Sequence, residues 1–429
     1  MPVVIIIGGQ WGDEGKGRVV DLVARKADIV ARYSGGNNAG HTVVNEFGES
    51  RLHLVPAGIF YPDKVCVIGN GVIIDPKVLL EEIDDLQSRG VTFDNLRISG
   101  RCQIIMPWHL MIDRLDEELR GKGAIGTTAR GVGPCFSDKV ARAGIRMADL
   151  IDPEGFRERL SFALPYKNAF LEKVYGAEPL SFDEVYSTYS EYAARIAPFV
   201  TETAELVQDA LERGETILME GAQGTLLDLD AGTYEFVTSA TPSSMAAGAG
   251  VGLGIGPTQI SKVLAVYKAY QTRVGNGPMP TELMGEEGDT LRERGHEYGA
   301  TTGRPRRCGW FDAVASRYTR RLNNLTGMVM TRLDVLDDYP TIKVCTAYRL
   351  DGKVTKIFPS STRALMRVEP IYEELPGWQK DTKECRAFKD LPPQARSYIK
   401  RIEELVGCPI DMVSVGPQRE QAVIINPII

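Results

Sequence analysis

The N-terminal part of the chain carries its apolar residues in short unbroken runs rather than at helical spacing. Val3-Val4-Ile5-Ile6-Ile7 has no polar interruption, which predicts a strand covered on both faces. A glycine-rich turn follows. Arg18-Val19-Val20-Asp21-Leu22-Val23 then repeats its apolar residues at helical spacing, so the chain opens strand, turn, helix. Extended runs at 28–32, 42–44 and 64–68, a helix at 76–88 and an extended 96–98 continue the alternation, which predicts a largely parallel sheet with helices on its faces. From 153 to 213 charged residues mix with Phe, Leu, Tyr and Val in a helical pattern, a helical insertion (about 151–213) flanking the sheet. Strands are predicted again at 215–221, 262–269 and 327–331, then a helix at 394–405, an extended run at 412–417 and a last strand at 422–424. The Gly/Ala/Ser-rich stretch 239–256 is too apolar for a solvated linker and reads as a loop or helix start packed near a ligand. With no repeat, low-complexity tract or charged tail, the expectation is one continuous α/β domain, 1–429, with a mostly parallel central sheet.

Composition narrows the class. A 429-residue chain with 43% hydrophobic and 25% charged residues is an ordinary globular protein. Its net charge of −7 gives no reason to expect nucleic acid, and any anionic ligand must be met by local basic clusters. Seven cysteines at 66, 102, 135, 308, 345, 385 and 408 form no C-x-x-C pair, which fits reduced thiols better than a disulfide framework. The N-terminus enters a strand without a basic leader, and no apolar run approaches a membrane span. The expectation is a cytoplasmic protein without membrane contact.

Polar, glycine-bearing patches recur after the predicted strands, where open α/β sheets bind ligands. Gly8-Gly9-Gln10-Trp11-Gly12-Asp13-Glu14-Gly15-Lys16-Gly17 resembles a phosphate loop, in which backbone N–H groups and a helix N-terminus converge on an anion and a lysine adds charge. It departs from G-x-x-x-x-G-K-[ST] by one extra residue and by Gly17 in place of the hydroxyl that would ligate Mg²⁺. Asp13 lies inside the loop, and an acid facing phosphates is costly unless it holds a metal or moves a proton. A plain strand-to-helix turn is the bland alternative, which Lys16 and Asp13 weigh against.

The second patch, 34–42, sets Asn37, Asn38 and His41 among glycines, where His41 could donate a proton near neutrality. Of the other histidines, His53 on a strand and His109 at a helix start read as structural. The third, 126–134, offers Thr127 and Thr128, although Thr-Thr also caps helices, and Asp138 to Arg142 follow with cations. Glu220-Gly221-Ala222-Gln223-Gly224-Thr225 places an amide after a strand, able to read a base edge or orient a reacting group. Residues 299–307 bring Arg304, Arg306 and Arg307 beside hydroxyls and glycines, and guanidinium forks suit carboxylate or phosphate. Thr331-Arg332-Leu333-Asp334 ends a strand in the manner of the guanine-reading N-K-x-D motif, with Ser414-Val415-Gly416 able to close the other side of the base. A phosphate loop, a guanine-like reader, an arginine cluster and a histidine loop point to an enzyme that uses a nucleotide to act on a small anionic substrate.

In this order the patches resemble the adenylosuccinate synthetase family, through GQWGDEGKG, GGNNAGHT, CQIIMPWH, DKVARAGIR, EGAQGTLLDLD, TTGRPRRCGWFD, RLDVLD and YEELPGW, spread over nearly the whole chain. The resemblance implies a P-loop-GTPase-like sheet and a homodimeric, Mg²⁺-dependent ligase that joins L-aspartate to IMP with GTP as co-substrate. It implies that Asp13 takes the proton from N1 of the base so that O6 attacks the γ-phosphate, that His41 donates to the transferred phosphoryl group, and that Gln223 orients the base. GTP would lie on Gly12, Asp13, Glu14, Gly15, Lys16, Gly17 and Arg18, on Gly40, His41 and Thr42, on Arg306, and on Arg332, Leu333, Asp334, Ser414, Val415 and Gly416 around the guanine. One Mg²⁺ would be held by Asp13 and the Gly40 carbonyl. IMP would meet Asp13, Lys16, Asn38, His41, Thr128, Gln223, Thr238 and Arg304, with Arg142 reaching its phosphate from the other subunit. L-Aspartate would meet Ala300, Thr301, Thr302, Gly303, Arg304 and Arg306.

Arg18, Ser34 and Arg332 stand where Lys, Gln and Lys are common in the family, and 240–248 lacks the usual Ser-Asn start and Gly pair, which bears on closure over IMP. Two other readings remain open on sequence: a viral-type 2-aminoadenylosuccinate synthetase acting on dGMP, whose members usually lack the loop Asp, and a catalytically silent GTP-binding protein.

Overall fold

The computed structural model of the chain describes residues 3–240, 252–299 and 303–429. Its central sheet contains β1 (Val3–Gly8), β2 (Ile29–Gly35), β3 (Val65–Ile74), β4 (Leu96–Ser99), β5 (Val200–Thr201), β6 (Ile217–Glu220), β7 (Ile260–Lys268), β8 (Gly327–Thr331), β9 (Ile410–Ser414) and β10 (Ala422–Ile424). They lie in the order β10-β9-β8-β7-β1-β6-β2-β3-β4-β5, and Gln103–Ile104 beside β3 completes an 11-stranded sheet among the described residues. Neighbours along this path are parallel except β9 and β10.

The unbroken run of β1 is explained by its position. Val4 and Ile6 join one core, under the helix Lys16–Ala24 with its Val19, Val20 and Val23. Val3, Ile5 and Ile7 join the core on the opposite face, with Tyr398, Ile399 and Ile402 of the helix Pro393–Val406. Each such buried Val or Ile contributes about 1.5–3 kcal/mol relative to exposure. That burial on both faces rigidly places the glycine turn at the end of β1. The chain leaves β1 for β2 on one side, while β7 pairs on the other, so the turn sits at a topological switch point.

The segment from 153 to 212 is mainly helical, with Pro153–Phe170, Phe182–Ile196 and Thr203–Glu212. It is locked to the site side by Asp138, which accepts from His109 Nε2 at 2.8 Å and from Lys167 Nζ. His109 is thus structural: its Nδ1 accepts from the Met106 N–H at 2.9 Å, and burial pushes its pKa below the usual value.

Two expectations change. The run 42–44 belongs not to the parallel sheet but to an antiparallel hairpin, His41–Asn45 with Gly48–Leu52. Val43 is buried there while Thr42 and Val44 face outward, the alternation of a one-sided ribbon. A second, four-stranded sheet escapes the sequence pattern: Phe311–Asp312, Thr341–Leu350, Lys353–Thr355 and Glu369–Pro376. In Glu369–Pro376 no residue is fully buried, so it has no apolar face to betray it. No helix among the described residues is long and apolar enough to cross a membrane. Of the stretch 239–256 expected near a ligand, residues 241–251, and with them all of the unusual 240–248 run but Ala240, lie outside the described residues.

Candidate active site

A cavity of about 360 Å³ opens at the C-terminal ends of the central strands. Its walls include Gly12, Asp13, Gly15, Lys16 and Gly17 of the first patch, and Asn38, Gly40, His41 and Thr42 of the second. Thr127, Thr128, Gln223, Thr238, Arg304, Arg306 and Arg332 are further wall residues that the sequence singled out. Segments far apart in the chain thus converge on one space.

The phosphate-like loop is built around an internal acid. Glu14 is fully buried, and its carboxylate accepts from the N–H groups of Gln10 at 3.1 Å and Gly12 at 2.9 Å. Its other oxygen takes Lys16 Nζ at 2.6 Å. Glu14 therefore shapes the loop from behind rather than offering its side chain to the cavity. Gly15, with φ of 90°, caps the helix Lys16–Ala24 without a side chain, leaving the orphan N–H groups of the first turn to an anion. Asp13 adopts φ of 58°, an uncommon left-handed conformation for a residue with a side chain, and so do Gln223 at 55° and Arg332 at 62°. Backbone strain gathered around one cavity is what a functional site leads one to expect.

The missing hydroxyl has a steric cause. A Cβ on Gly17 would lie 2.6 Å from the Cβ of His41, so the His41 loop occupies the space a Ser or Thr would need. His41 is buried. Its Nδ1 pairs with Glu220, whereas Nε2, at the cavity wall, has no partner among the described residues. Burial pushes the imidazole pKa below its usual value although Glu220 opposes this. Burial also pushes the Glu220 carboxyl up, but the hydrogen bond and charge of His41, then Arg32, outweigh it and hold the carboxyl low. Arg32 pairs in register with Glu220 across β2 and β6 and is itself fully buried with no hydrogen-bond partner among the described residues. The result is an imidazole oriented by an anion through Nδ1.

Gln223 donates from Nε2 to Asn38 Oδ1 at 2.9 Å, and its buried Oε1 has no partner among the described residues. Opposite, Arg306 donates from Nε to Asp13 Oδ2 at 2.7 Å and from Nη1 to Glu297 Oε2 at 2.6 Å. In the third patch, Glu117 already takes the N–H groups of Ile125, Gly126 and Thr127, and Asp113 takes the Thr127 hydroxyl at 2.9 Å. Thr127 thus spends its N–H and hydroxyl proton within the chain, although it borders the cavity as Thr128 does.

Several expected contacts lie outside the cavity walls. Arg18 instead donates to Ser414 Oγ and to the carbonyls of Gly416 and Gln418, tying the first helix to the turn after β9. Asp334 and Arg332 lie close enough to bias the Arg18 charge, and burial lowers its pKa to about 10. Asp334 is itself pushed up by burial, and its Oδ1 has no partner among the described residues. Thr331 binds the two flanks together by donating to the Glu14 carbonyl at 2.6 Å. Arg142 is exposed at the end of the helix Val132–Ala141 with φ of 63°, away from the cavity of its own chain. Gly303 is exposed with φ of 65°, and Ala300, Thr301 and Thr302 lie outside the described residues.

Sequence reasoning missed Arg273, Glu297 and Lys268. Arg273 is buried at the wall, donates to the carbonyls of Pro278 at 2.6 Å and Phe236 at 2.9 Å, and has its pKa lowered by burial to about 9. It thereby holds the loop bearing Thr238 in place. A charged residue ending the short strand Gln271–Arg273 was the only local signal.

A glycine turn with its own acid at a switch point, a buried His–Glu pair and an arginine-rich wall define a nucleotide-dependent α/β enzyme with a P-loop-like phosphate site. Comparisons specify it further. A family model for adenylosuccinate synthetase matches residues 5–423. The chain is 57% identical over 423 residues to an adenylosuccinate synthetase of Heliobacterium modesticaldum, covering 99% of both chains. It is 55% identical over 428 residues to one of Carboxydothermus hydrogenoformans, covering 100% of both. The structure of fully ligated adenylosuccinate synthetase from Plasmodium falciparum matches with a TM-score of 0.93 at 36% identity, over 99% of this chain and 100% of that one. A cyanophage S-2L succinoaminodeoxyadenylate synthetase bound to dGMP and dATP matches at a TM-score of 0.62 and 20% identity, over 100% of this chain and 96% of that one, and shares the fold. This chain belongs to the adenylosuccinate synthetase family, whose members are GTP-dependent ligases.

Proposed function

We propose that the cavity joins L-aspartate to IMP with GTP as co-substrate, giving adenylosuccinate, GDP and phosphate. The observation that carries this reading is the convergence on one cavity of Asp13, Arg306, His41 and Gln223, the last two with Nε2 and Oε1 unpaired among the described residues. A carboxylate at Asp13 removes the N1 proton of hypoxanthine, and the electron pair makes O6 nucleophilic toward the γ-phosphorus. The P–O bond to GDP breaks, and C6 now bears a phosphate leaving group. The aspartate amine attacks C6, and phosphate departs with O6. His41 donates from Nε2 to the charge developing on the phosphoryl oxygens, while Glu220 holds Nδ1 and stabilises the imidazolium. Gln223, braced by Asn38, presents Oε1 to the base edge.

Asp13 and the Gly40 carbonyl both border the cavity, and one carboxylate with a carbonyl, completed by phosphate and water, is the hard-oxygen set Mg²⁺ accepts. Held there by Asp13 and Gly40, Mg²⁺ would supply positive charge to offset that of the GTP phosphates. The 5′-phosphate of IMP lies toward Asn38, Thr128 and Thr238, and the aspartate carboxylates toward the 299–306 loop with Arg304. Asp334 and Arg332, with Ser414 beside them, read the guanine. The seven free thiols support a cytoplasmic location.

The test is GTP consumption with each small molecule omitted in turn. Full turnover should need both IMP and aspartate; consumption indifferent to both would sink the ligase reading, and faster turnover of dGMP than IMP would favour the viral-type activity.

The exposure of Arg142 away from its own cavity supports a homodimer in which it completes the partner's IMP phosphate site. Arg142→Ala and Asp13→Asn should each be nearly inactive alone. Mixed in equal amounts and allowed to exchange subunits, they should recover about a quarter of wild-type activity, because half the dimers then hold one intact site. Absence of any recovery, with exchange verified, would rule the shared site out.

A further inference from the structure

The cation that faces Asp13 is held from behind by a carboxylate that no family motif singled out. Glu297 is completely buried, just ahead of the arginine loop, and Arg306 closes that loop from the other end. The Arg306 N–H donates to the Glu297 carbonyl at 2.8 Å, so backbone and side chains pair at the same neck. Behind Glu297, Lys268 Nζ reaches both carboxylate oxygens at 2.8 Å, and the Tyr270 hydroxyl donates to Oε1. Lys268 ends β7, and its backbone N–H donates to Gln10 Oε1 at 3.1 Å, which ties this support to the phosphate-like loop itself. Among the described residues the Arg306 guanidinium has two partners, Asp13 and Glu297.

Charge explains the arrangement. With Asp13 in place, Lys268 and Arg306 are balanced by Glu297 and Asp13. When Asp13 turns to a substrate proton or a metal, the remaining three groups carry one net positive charge, aimed where an anionic phosphoryl group would stand. A guanidinium that loses one carboxylate swings unless the other edge is anchored, and an anchor carboxylate buried without partners would itself be too costly. The Lys268 ammonium and the Tyr270 hydroxyl satisfy that carboxylate. Burial alone would push the Glu297 pKa up, but the charges of Lys268, Arg332 and Arg306 outweigh it and hold it at about 2.

We propose that Glu297, pinned by Lys268 and Tyr270, is a positioning residue that anchors one edge of Arg306, so that its other edge faces Asp13 at rest and the transferred phosphoryl group during reaction. This rests on the ligase reading above. The test is a double-mutant cycle in the full-length enzyme, with Glu297→Gln and Arg306→Ala, singly and together. It reads kcat, KM for IMP and equilibrium binding of a non-hydrolysable GTP analogue. Glu297→Gln should lower kcat and weaken analogue binding by about 10-fold, the scale of a charged hydrogen bond, with KM for IMP changed by less than about 3-fold. In the Arg306→Ala background the same change should have less than about 2-fold effect on either readout. The binding arm remains measurable if turnover without Arg306 is too slow to follow. If melting shows that Glu297→Gln is unfolded, Tyr270→Phe replaces it in the same cycle, with about 3-fold effects that vanish without Arg306. Equal losses in both backgrounds, or a folded Glu297→Gln enzyme with normal kcat and binding, overturn the positioning role alone. Absence of IMP- and aspartate-dependent turnover in the wild type overturns the ligase reading and this inference with it.

Discussion

Asp13→Asn should lower turnover by about 10³-fold, within the range that loss of a general base produces, while nucleotide binding changes only a few-fold. The substitution isolates one property. Asn tolerates the left-handed backbone that Asp13 adopts at φ of 58° at least as well as Asp, so the loop keeps its shape. An amide has no basic electron pair for the N1 proton. It can still accept from Arg306 Nε, now at 2.7 Å from Oδ2, through its carbonyl oxygen. Loss of chemistry with retained binding is therefore expected, read by steady-state rates beside equilibrium binding of a GTP analogue. A variant that turns over at near-normal rate would show that some other group removes the proton.

Gly17→Ser, which restores the residue of an ordinary phosphate loop, should lower turnover rather than supply a new metal ligand. The added Cβ would meet His41 Cβ at 2.6 Å and Cα at 3.0 Å, closer than real side chains approach. Two backbone segments would have to part, and overpacking of this kind costs about 1–3 kcal/mol of stability. The larger effect falls on function, because displacing His41 breaks its alignment between Glu220 and the cavity. A loss of about 10²-fold in kcat is expected, the scale of removing one oriented donor to a developing anion. Rates and melting temperatures of the purified variant check both parts. Turnover within a few-fold of wild type would mean that the His41 loop yields freely and that its close approach has no catalytic consequence.

Much of this architecture was legible before any coordinates. Strand, glycine turn and helix at the N-terminus follow from an apolar run, a Gly cluster and a change of period, all local signals. The convergence of the glycine patches on one cavity was anticipated from their positions after strands, and the cavity walls draw residues from each of them except the 414–416 run. The third patch is an exception in detail, since it follows the helix Pro107–Arg120 and its first N–H groups serve Glu117. The second sheet was invisible because its strand Glu369–Pro376 is rich in Glu and Pro and buries no residue fully.

The partners of the reacting groups were beyond reach for a different reason. Glu220 stood in a recognised patch, yet nothing local showed that it grips His41, 179 positions away in the chain. The Asp13–Arg306 pair spans 293 positions. Nothing local marked Glu297 or Lys268 as a site residue, because sequence alone does not report burial. By itself the sequence determined the parallel α/β sheet, the anomalous phosphate-like loop and, through its ordered motifs, the family. Only the tertiary structure decided why Gly17 replaces a hydroxyl, which anion orients His41 and what stands behind Arg306. Periodicity and turn chemistry act between neighbours and can be read along the chain, whereas ion pairs and close backbone approaches form between segments that meet only when the sheet is assembled.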